Sequence, residues 1–149
     1  MVNNIFKVYL SHALAGAKGA AATDKDIWDN VFLYRKIGEQ IKAYFLDWEK
    51  MDGFPKIYLY VPADHEEFIF NSRKMNFMGV DKILKVDCKI IDTCDLVIAY
   101  GNVGLSGGMQ VEVKHATLNG IAIYSMPSLS DTSIQALKFA IHLLLKAEG

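Results

Sequence analysis

The sequence predicts a single α/β domain, a doubly wound parallel sheet of four to five strands with helices on both faces. Three observations carry that prediction. Short apolar runs over 6–10, 57–61, 96–100 and 121–125 alternate with longer stretches of helical period. The run Leu96-Val-Ile-Ala-Tyr100 is apolar throughout, as in a strand buried on both faces of a parallel sheet. Alternating strands and helices imply right-handed crossovers, which place parallel strands side by side under two layers of helix.

Phe6-Lys-Val-Tyr-Leu10 reads as the first strand and closes in Ser11-His12. Ala13 to Ala22 is small, glycine-bearing and aperiodic, which predicts a loop over the carboxyl edge of that strand. From about Asp24, the residues Ile27, Val31, Tyr34, Ile37, Ile41, Phe45 and Trp48 recur every three or four positions, the pattern of a long amphipathic helix ending near Gly53. The stripe Tyr34, Tyr44, Phe45 and Trp48 reads as core, with any surplus serving a subunit interface. Ile57-Tyr-Leu-Tyr-Val61 is the second strand. Pro62-Ala-Asp-His65 turns out of it into a short helical stretch carrying Glu66, Phe68 and Arg73, and the link over 75–79 leaves room for a fifth strand. Lys82 to Cys94 carries Ile83, Val86, Ile90 and Ile91 at helical spacing and feeds the third strand at Asp95. Gly101 to Gly108 form a turn, and a helix runs from about Gly108 to Leu118, stopping at Asn119-Gly120. Ile121-Ala-Ile-Tyr-Ser125 is the fourth strand, and 131–146 is a closing helix capped by Ser130 or Asp131. The order matches flavodoxin-like and Rossmann-like sheets.

Composition narrows the function classes. A chain of 149 residues, 52% apolar and without internal repeat or compositional break, suits one domain over 1–149 with one good core. A net charge of −1 supplies no basic field for nucleic acid. No apolar run approaches the roughly 20 residues of a membrane span, and Met-Val-Asn-Asn-Ile lacks the regions of a signal peptide, so a cytoplasmic protein without a membrane partner is expected. Cys88 and Cys94 form no Cys-x-x-Cys pair and have no histidine at ligand spacing, so reduced thiols are expected and no metal site or cofactor.

In open sheets of this kind, ligands bind beyond the carboxyl ends of the strands at the switch point. The prediction places there Ser11, His12 and the loop after them, Asp64 and His65, and the span from Gly101 to Glu112. That span is the strongest local signal. Asp95-Leu-Val-Ile-Ala-Tyr-Gly-Asn-Val-Gly-Leu-Ser-Gly-Gly-Met-Gln-Val-Glu112 runs from strand through glycine turn into helix. Gly107 and Gly108 leave backbone N–H groups at the helix mouth, where an anion or an electron-rich sugar hydroxyl is favoured. On a 3.6-residue period Met109, Glu112, Val113 and Ala116 share the inward face. Either Glu112 is partly desolvated among core residues with a raised pKa, as at many functional sites, or it lies at the edge of the stripe and caps loop N–H groups.

A lone inward glutamate suits nucleophilic attack on an anomeric carbon, because a carboxylate can form and release a glycosyl ester. The alternatives lack parts. Glu112 with His115 is half of a di-iron pattern, and His115 leans away from the core. The glycines form neither Gly-Lys-Ser/Thr nor Gly-x-Gly-x-x-Gly after the first strand, and Leu105-Ser106-Gly107 does not complete Gly-x-Ser-x-Gly. His12 and His65 fall at strand ends, where a ligand contact competes with a loop-stabilising role, and His142 on the closing helix has no evident partner.

The run Ser-Gly-Gly-Met-x-x-Glu-x-x-x-Ala, preceded by strand and glycine turn and followed by Asn-Gly and another strand, resembles the nucleoside 2-deoxyribosyltransferase-like superfamily, which includes nucleoside 5′-monophosphate N-glycosidases. The resemblance covers Tyr9 to Tyr124. It implies cleavage of the N-glycosidic bond of a nucleoside or nucleoside monophosphate by hydrolysis or base exchange, with Glu112 as nucleophile at C1′. It also implies that Ser106 contacts the 5′ end, and that Asp87, in Asp87-Cys-Lys-Ile-Ile-Asp-Thr-Cys-Asp95, orients or protonates the leaving base. Asp95 would cap the turn into its strand. Tyr9, Ser11, His12, Gly16, Asp64, His65, Gly101, Gly107, Gly108 and Met109 fall on the substrate side, and a homo-oligomer, dimer or tetramer, follows by analogy.

Two departures bear on the substrate. Ala13 and Ala15 stand where the monophosphate hydrolases use serine and arginine for phosphate. Val113-Lys114 replaces a common Leu-Gly and is similar to a related branch with Ser-x-Gly-Met-x-x-Glu. The same residues admit a non-catalytic nucleotide-binding module, and Val8-Tyr-Leu-Ser-His12 resembles the opening strand of TIR domains, some of which break the glycosidic bond of NAD.

Overall fold

The computed structural model describes residues 5–13, 23–65, 80–101 and 107–148. Its sheet has four parallel strands among these residues, β1 (Ile5–Ser11), β2 (Lys56–Tyr60), β3 (Leu96–Tyr100) and β4 (Ala122–Met126), in the order β2-β1-β3-β4. The chain moves outward in one direction from β1 to β2, then returns past β1 to build β3 and β4 on its other side. The switch point therefore lies between β1 and β3, where Tyr9 pairs with Val97 and Ser11 with Ala99. This is the doubly wound α/β arrangement expected, with a flavodoxin-like strand order. The stretch with Glu66, Phe68 and Arg73, and the place for a fifth strand, lie outside the described residues.

Strand alternation divides the core. Phe6, Val8 and Leu10 point to one face of β1, where they meet α1 (Asp24–Glu49) and α4 (Asp131–Glu148) through Val31, Ile41, Phe45, Ile134, Leu137 and Ile141. Tyr9 points to the other, packing with Ile91, Cys94, Val97 and Ala116 under α2 (Val80–Ile91) and α3 (Gly107–Leu118). Each fully buried large side chain contributes about 1.5–3 kcal/mol of transfer free energy, so the larger face beneath α1 holds most of the hydrophobic stabilisation. The smaller face is where polar groups are tolerated, and it carries the carboxylates described below.

Local chemistry sets the element ends. Thr23 caps α1 by accepting the Asp26 N–H at 3.2 Å, while Asp26 accepts the Thr23 N–H at 2.9 Å, a reciprocal capping box. The helix stops at Glu49, short of the expected Gly53. Ser130 caps α4 by accepting the Ser133 N–H at 3.1 Å. Helix α3 ends in a Schellman arrangement, with the Ile121 N–H donating to the Ala116 carbonyl at 2.9 Å and Gly120 at φ 71°, a conformation glycine adopts without strain. Helix α2 ends at Ile91, three residues earlier than its periodicity suggests, and the Thr93 hydroxyl donates to the Ile90 carbonyl at 2.7 Å. Asp95 does more than cap a turn. Its carboxylate accepts the Lys7 N–H at 2.8 Å and its own N–H donates to the Lys7 carbonyl at 2.7 Å, locking β1 to the start of β3.

At the edge of the sheet, Glu49 accepts the Ile57 N–H at 2.7 Å, so one amide of β2 is covered by a side chain. Among the described residues no helix is long and apolar enough to cross a membrane.

Gly38, buried in the middle of α1, faces β2's exit, and a Cβ there would lie 2.8 Å from Val61 Cγ2. The usual gain of about 1 kcal/mol for replacing a helical glycine by alanine should be outweighed by an overpacking cost of about 1–3 kcal/mol. Gly38→Ala is expected to lower the midpoint of denaturant unfolding without changing the slope.

Candidate functional site

Alternation along β1 brings Tyr9 and Ser11 to the face covered by α2 and α3. Helix α3, launched from β3 across the switch point, lays Met109, Glu112 and Ala116 inward. Glu112 is 5% exposed, which excludes the edge-of-stripe position. It caps no loop amide among the described residues. The Tyr9 hydroxyl donates to Glu112 Oε2, and the Ser11 hydroxyl donates to Oε1 at 2.9 Å. Both oxygens are thus held from the central strand. Burial pushes the Glu112 carboxyl above its ordinary value, and the two hydroxyls pull it back by favouring the ionised form. Tyr9 is raised well above its ordinary value, first by burial and then by the negative charge of Glu112, so it remains a donor.

Asp87, on α2, is also buried. Burial first, and then the charge of Glu112, push its carboxyl up from 3.8 to about 7. The two acids therefore differ. Glu112 accepts two hydrogen bonds that favour its ionised form, and Asp87, without such a pair, keeps its proton toward neutrality; environments that treat two carboxyls differently mark acid and nucleophile assignments in known enzymes.

An aromatic ladder continues from this pair. Tyr9 stacks on Tyr60 with centroids 5.5 Å apart, and Tyr60 stacks on His65 at 5.0 Å. Tyr60 is half-buried, and burial, with Asp87 second, pushes its phenol up to about 12. Sequence reasoning missed Tyr60 because Ile57-Tyr-Leu-Tyr-Val61 reads as an ordinary strand. Its register opposite Tyr9 is the signal, and that register exists only once the strand order is known.

The remaining candidates divide. Gly101, exposed with φ 126°, turns the chain out of β3, a backbone conformation that favours glycine. Gly107 and Gly108 open α3, but neither is demanded by close packing: a Cβ at Gly107 meets nothing, and one at Gly108 meets Leu84 Cδ2 at an ordinary 3.6 Å. Asp64 turns to Lys42 of α1, 2.8 Å away, beside a cavity of about 410 Å³ along the outer edge of β2, away from Glu112's partners. His12 lies beyond Ser11 and stacks on Tyr34 of α1 at 4.2 Å. His115, expected to be solvated, is half-buried and sits 2.6 Å from Asp92, tying α3 to the end of α2. His142 meets Phe54 at 6.2 Å. Gly16 and Ser106 lie outside the described residues. Cys88 and Cys94 are free thiols, both pushed up by burial. Among the described residues, no group of three or more histidine, cysteine or acidic side chains is arranged to hold a metal ion.

No family model matches this chain, and neither curated proteins nor solved structures give a match.

The protonation states predict an unusual pH dependence of stability. Asp87 titrates at about 7 when folded against 3.8 ordinarily, so the unfolded chain binds fewer protons between those values, and this stabilisation is lost as pH rises from about 4 to 7. His12, pushed down by burial from 6.5 to about 3, acts oppositely: its contribution is intact above 6.5 and lost as pH falls toward 3. The two slopes offset in the wild type. Asp87→Asn should raise stability at pH 7–8 by roughly 1–2 kcal/mol, a few degrees in Tm, with the gain shrinking toward pH 4. Thermal melts across pH 4–8 check this; a gain independent of pH would show that Asp87 is not a buried, protonated acid.

Proposed function

We propose that the protein cleaves the N-glycosidic bond of a nucleoside or nucleoside 5′-monophosphate through a covalent glycosyl-glutamate intermediate. The observation that carries this reading is a pair of buried carboxyls in unlike surroundings, Glu112 accepting hydrogen bonds from two hydroxyls and Asp87 pushed up to about 7 by burial and then by the charge of Glu112. The resemblance of the Ser-Gly-Gly-Met-x-x-Glu run supports it.

In the first step a Glu112 oxygen bonds to C1′ of the sugar. The C1′–N bond breaks with its electron pair going to the base, and the Asp87 proton passes to a base nitrogen. The transition state is oxocarbenium-like, and the ionised partner close to the sugar stabilises its positive charge. In the second step Asp87, now a carboxylate, takes a proton from water, whose oxygen bonds to C1′ as the C1′–Glu112 ester opens. A second base in place of water gives exchange. Tyr9 and Ser11 hold and aim Glu112, and Tyr60 and His65 offer a planar wall for the base, while the resemblance assigns Ser106 a contact with the sugar's 5′ end. No cofactor is required. The resemblance further implies a homo-oligomer.

A second reading is a nucleotide-binding module without turnover. The engagement of both Glu112 oxygens by hydroxyls favours it, since a nucleophile must free one of them.

Incubation with a panel of deoxynucleosides and their 5′-monophosphates, following free base by chromatography, separates the two. The wild type is expected to release base, and Glu112→Ala to lose at least about a thousandfold in rate. Binding without base release would favour the module. Turnover should also fall as pH rises through about 7, where Asp87 loses its proton, and Asp87→Asn should remove that descending limb. A limb unchanged in Asp87→Asn would take Asp87 out of the acid role.

A further inference from the structure

On the opposite side of the switch point from Glu112 stands a polar feature that the cleavage steps do not use. His12 directly follows β1, 7% exposed, and both Nδ1 and Nε2 are buried without a hydrogen-bond partner among the described residues. A buried polar atom without a partner costs roughly 1–3 kcal/mol, and almost all such atoms in folded proteins are satisfied. His12 has two, on one ring. The ring is held in place. It stacks face to face on Tyr34 at 4.2 Å and 15°, the Ala13 backbone bonds to the Tyr34 hydroxyl, and Tyr34 meets Tyr100 edge-on at 6.2 Å. Tyr100 ends β3 just before Gly101. The imidazole is thus clamped at the carboxyl edge of the two central strands, one residue beyond the serine that holds Glu112.

Its charge state defines what it can bind. Burial pushes His12 down to about 3, so the imidazole is neutral over the physiological range, with one nitrogen a donor and the other an acceptor. A hydroxyl, which both donates and accepts, complements such a ring. A phosphate dianion could use only the N–H of the ring, and an imidazole that resists protonation brings no positive charge to offset the burial of two negative ones.

We infer that His12 is a specificity-determining residue of the glycosidase proposed above, binding the free 5′-hydroxyl of the sugar and directing the site to nucleosides rather than nucleoside 5′-monophosphates. This rests on the assignment of C1′ to Glu112 and of the base to Asp87. With the base on the α2 side, the far end of the sugar extends across the strand ends toward α1, where His12 and Tyr34 stand. Ala13, beside His12, adds no phosphate-binding side chain.

The test compares 2′-deoxyadenosine, its 5′-monophosphate and 2′,5′-dideoxyadenosine on the wild type, His12→Leu and His12→Gln, by calorimetry and by base release. A site built to hydrogen-bond a hydroxyl rejects its absence strongly, so wild type should bind the deoxynucleoside at least about tenfold more tightly than either other compound. His12→Leu should lose that discrimination, and His12→Gln, which keeps a donor and an acceptor, should retain most of it. Melting curves confirm that each variant is folded; should His12→Leu fail to fold, the wild type and His12→Gln decide. A wild type that prefers the monophosphate, binds none of the three, or tolerates loss of the 5′-hydroxyl overturns the inference, as does full discrimination in His12→Leu. Selective binding without base release leaves the role of His12 standing and overturns the glycosidase.

Discussion

A carboxylate taken out of water must be compensated, and in this protein the compensation spans the sheet. Glu112 comes from α3, and both groups that satisfy it come from β1. The strand must therefore lie beside β3, its odd-numbered side chains must face α3, and the helix must start where it does for Glu112 to meet them. A slip of one residue in β1 would replace Tyr9 and Ser11 by Val8 and Leu10 and leave the charge unpaired, at a cost of several kcal/mol. Register, strand order and helix phase are linked through one side chain.

That linkage has electrostatic consequences. Burial first, and then the negative charge of Glu112, push the Asp87 carboxyl on α2 up to about 7. Tyr9, the donor to Glu112, cannot ionise beside it. The smaller face of the sheet thereby holds two buried carboxyls beside stacked aromatic rings, and the larger face supplies hydrophobic stability. A site that strains local stability sits on the face least needed for the core.

The divided arrangement also gives the cleft two unlike sides. Toward α2 and α3 it is acidic, with Asp87 and Glu112; toward α1 it is aromatic and neutral, with His12, Tyr34 and Tyr100 clamped together. The alanine at position 13 fits that neutral side, as does the net charge of −1, which gives anions no general attraction.

Much was legible from the chain itself, because periodicity and capping are local. Four strand runs, the long α1 stripe, the Asn119-Gly120 stop and the inward phase of Glu112 follow from residue spacing, and the strand-helix alternation implied a parallel doubly wound sheet. Element ends moved where a nearby hydrogen bond, such as that of Thr93, decided between helix and turn. What tertiary structure alone decided were relations between distant segments: that Tyr9 and Ser11 are the partners of Glu112, that Tyr60 stacks beside them, that Asp64 turns to Lys42, and that His12 stacks on Tyr34 while its ring nitrogens find no hydrogen-bond partner among the described residues. Those depend on strand order and register, which local sequence does not encode, because the same alternating pattern would serve any neighbour.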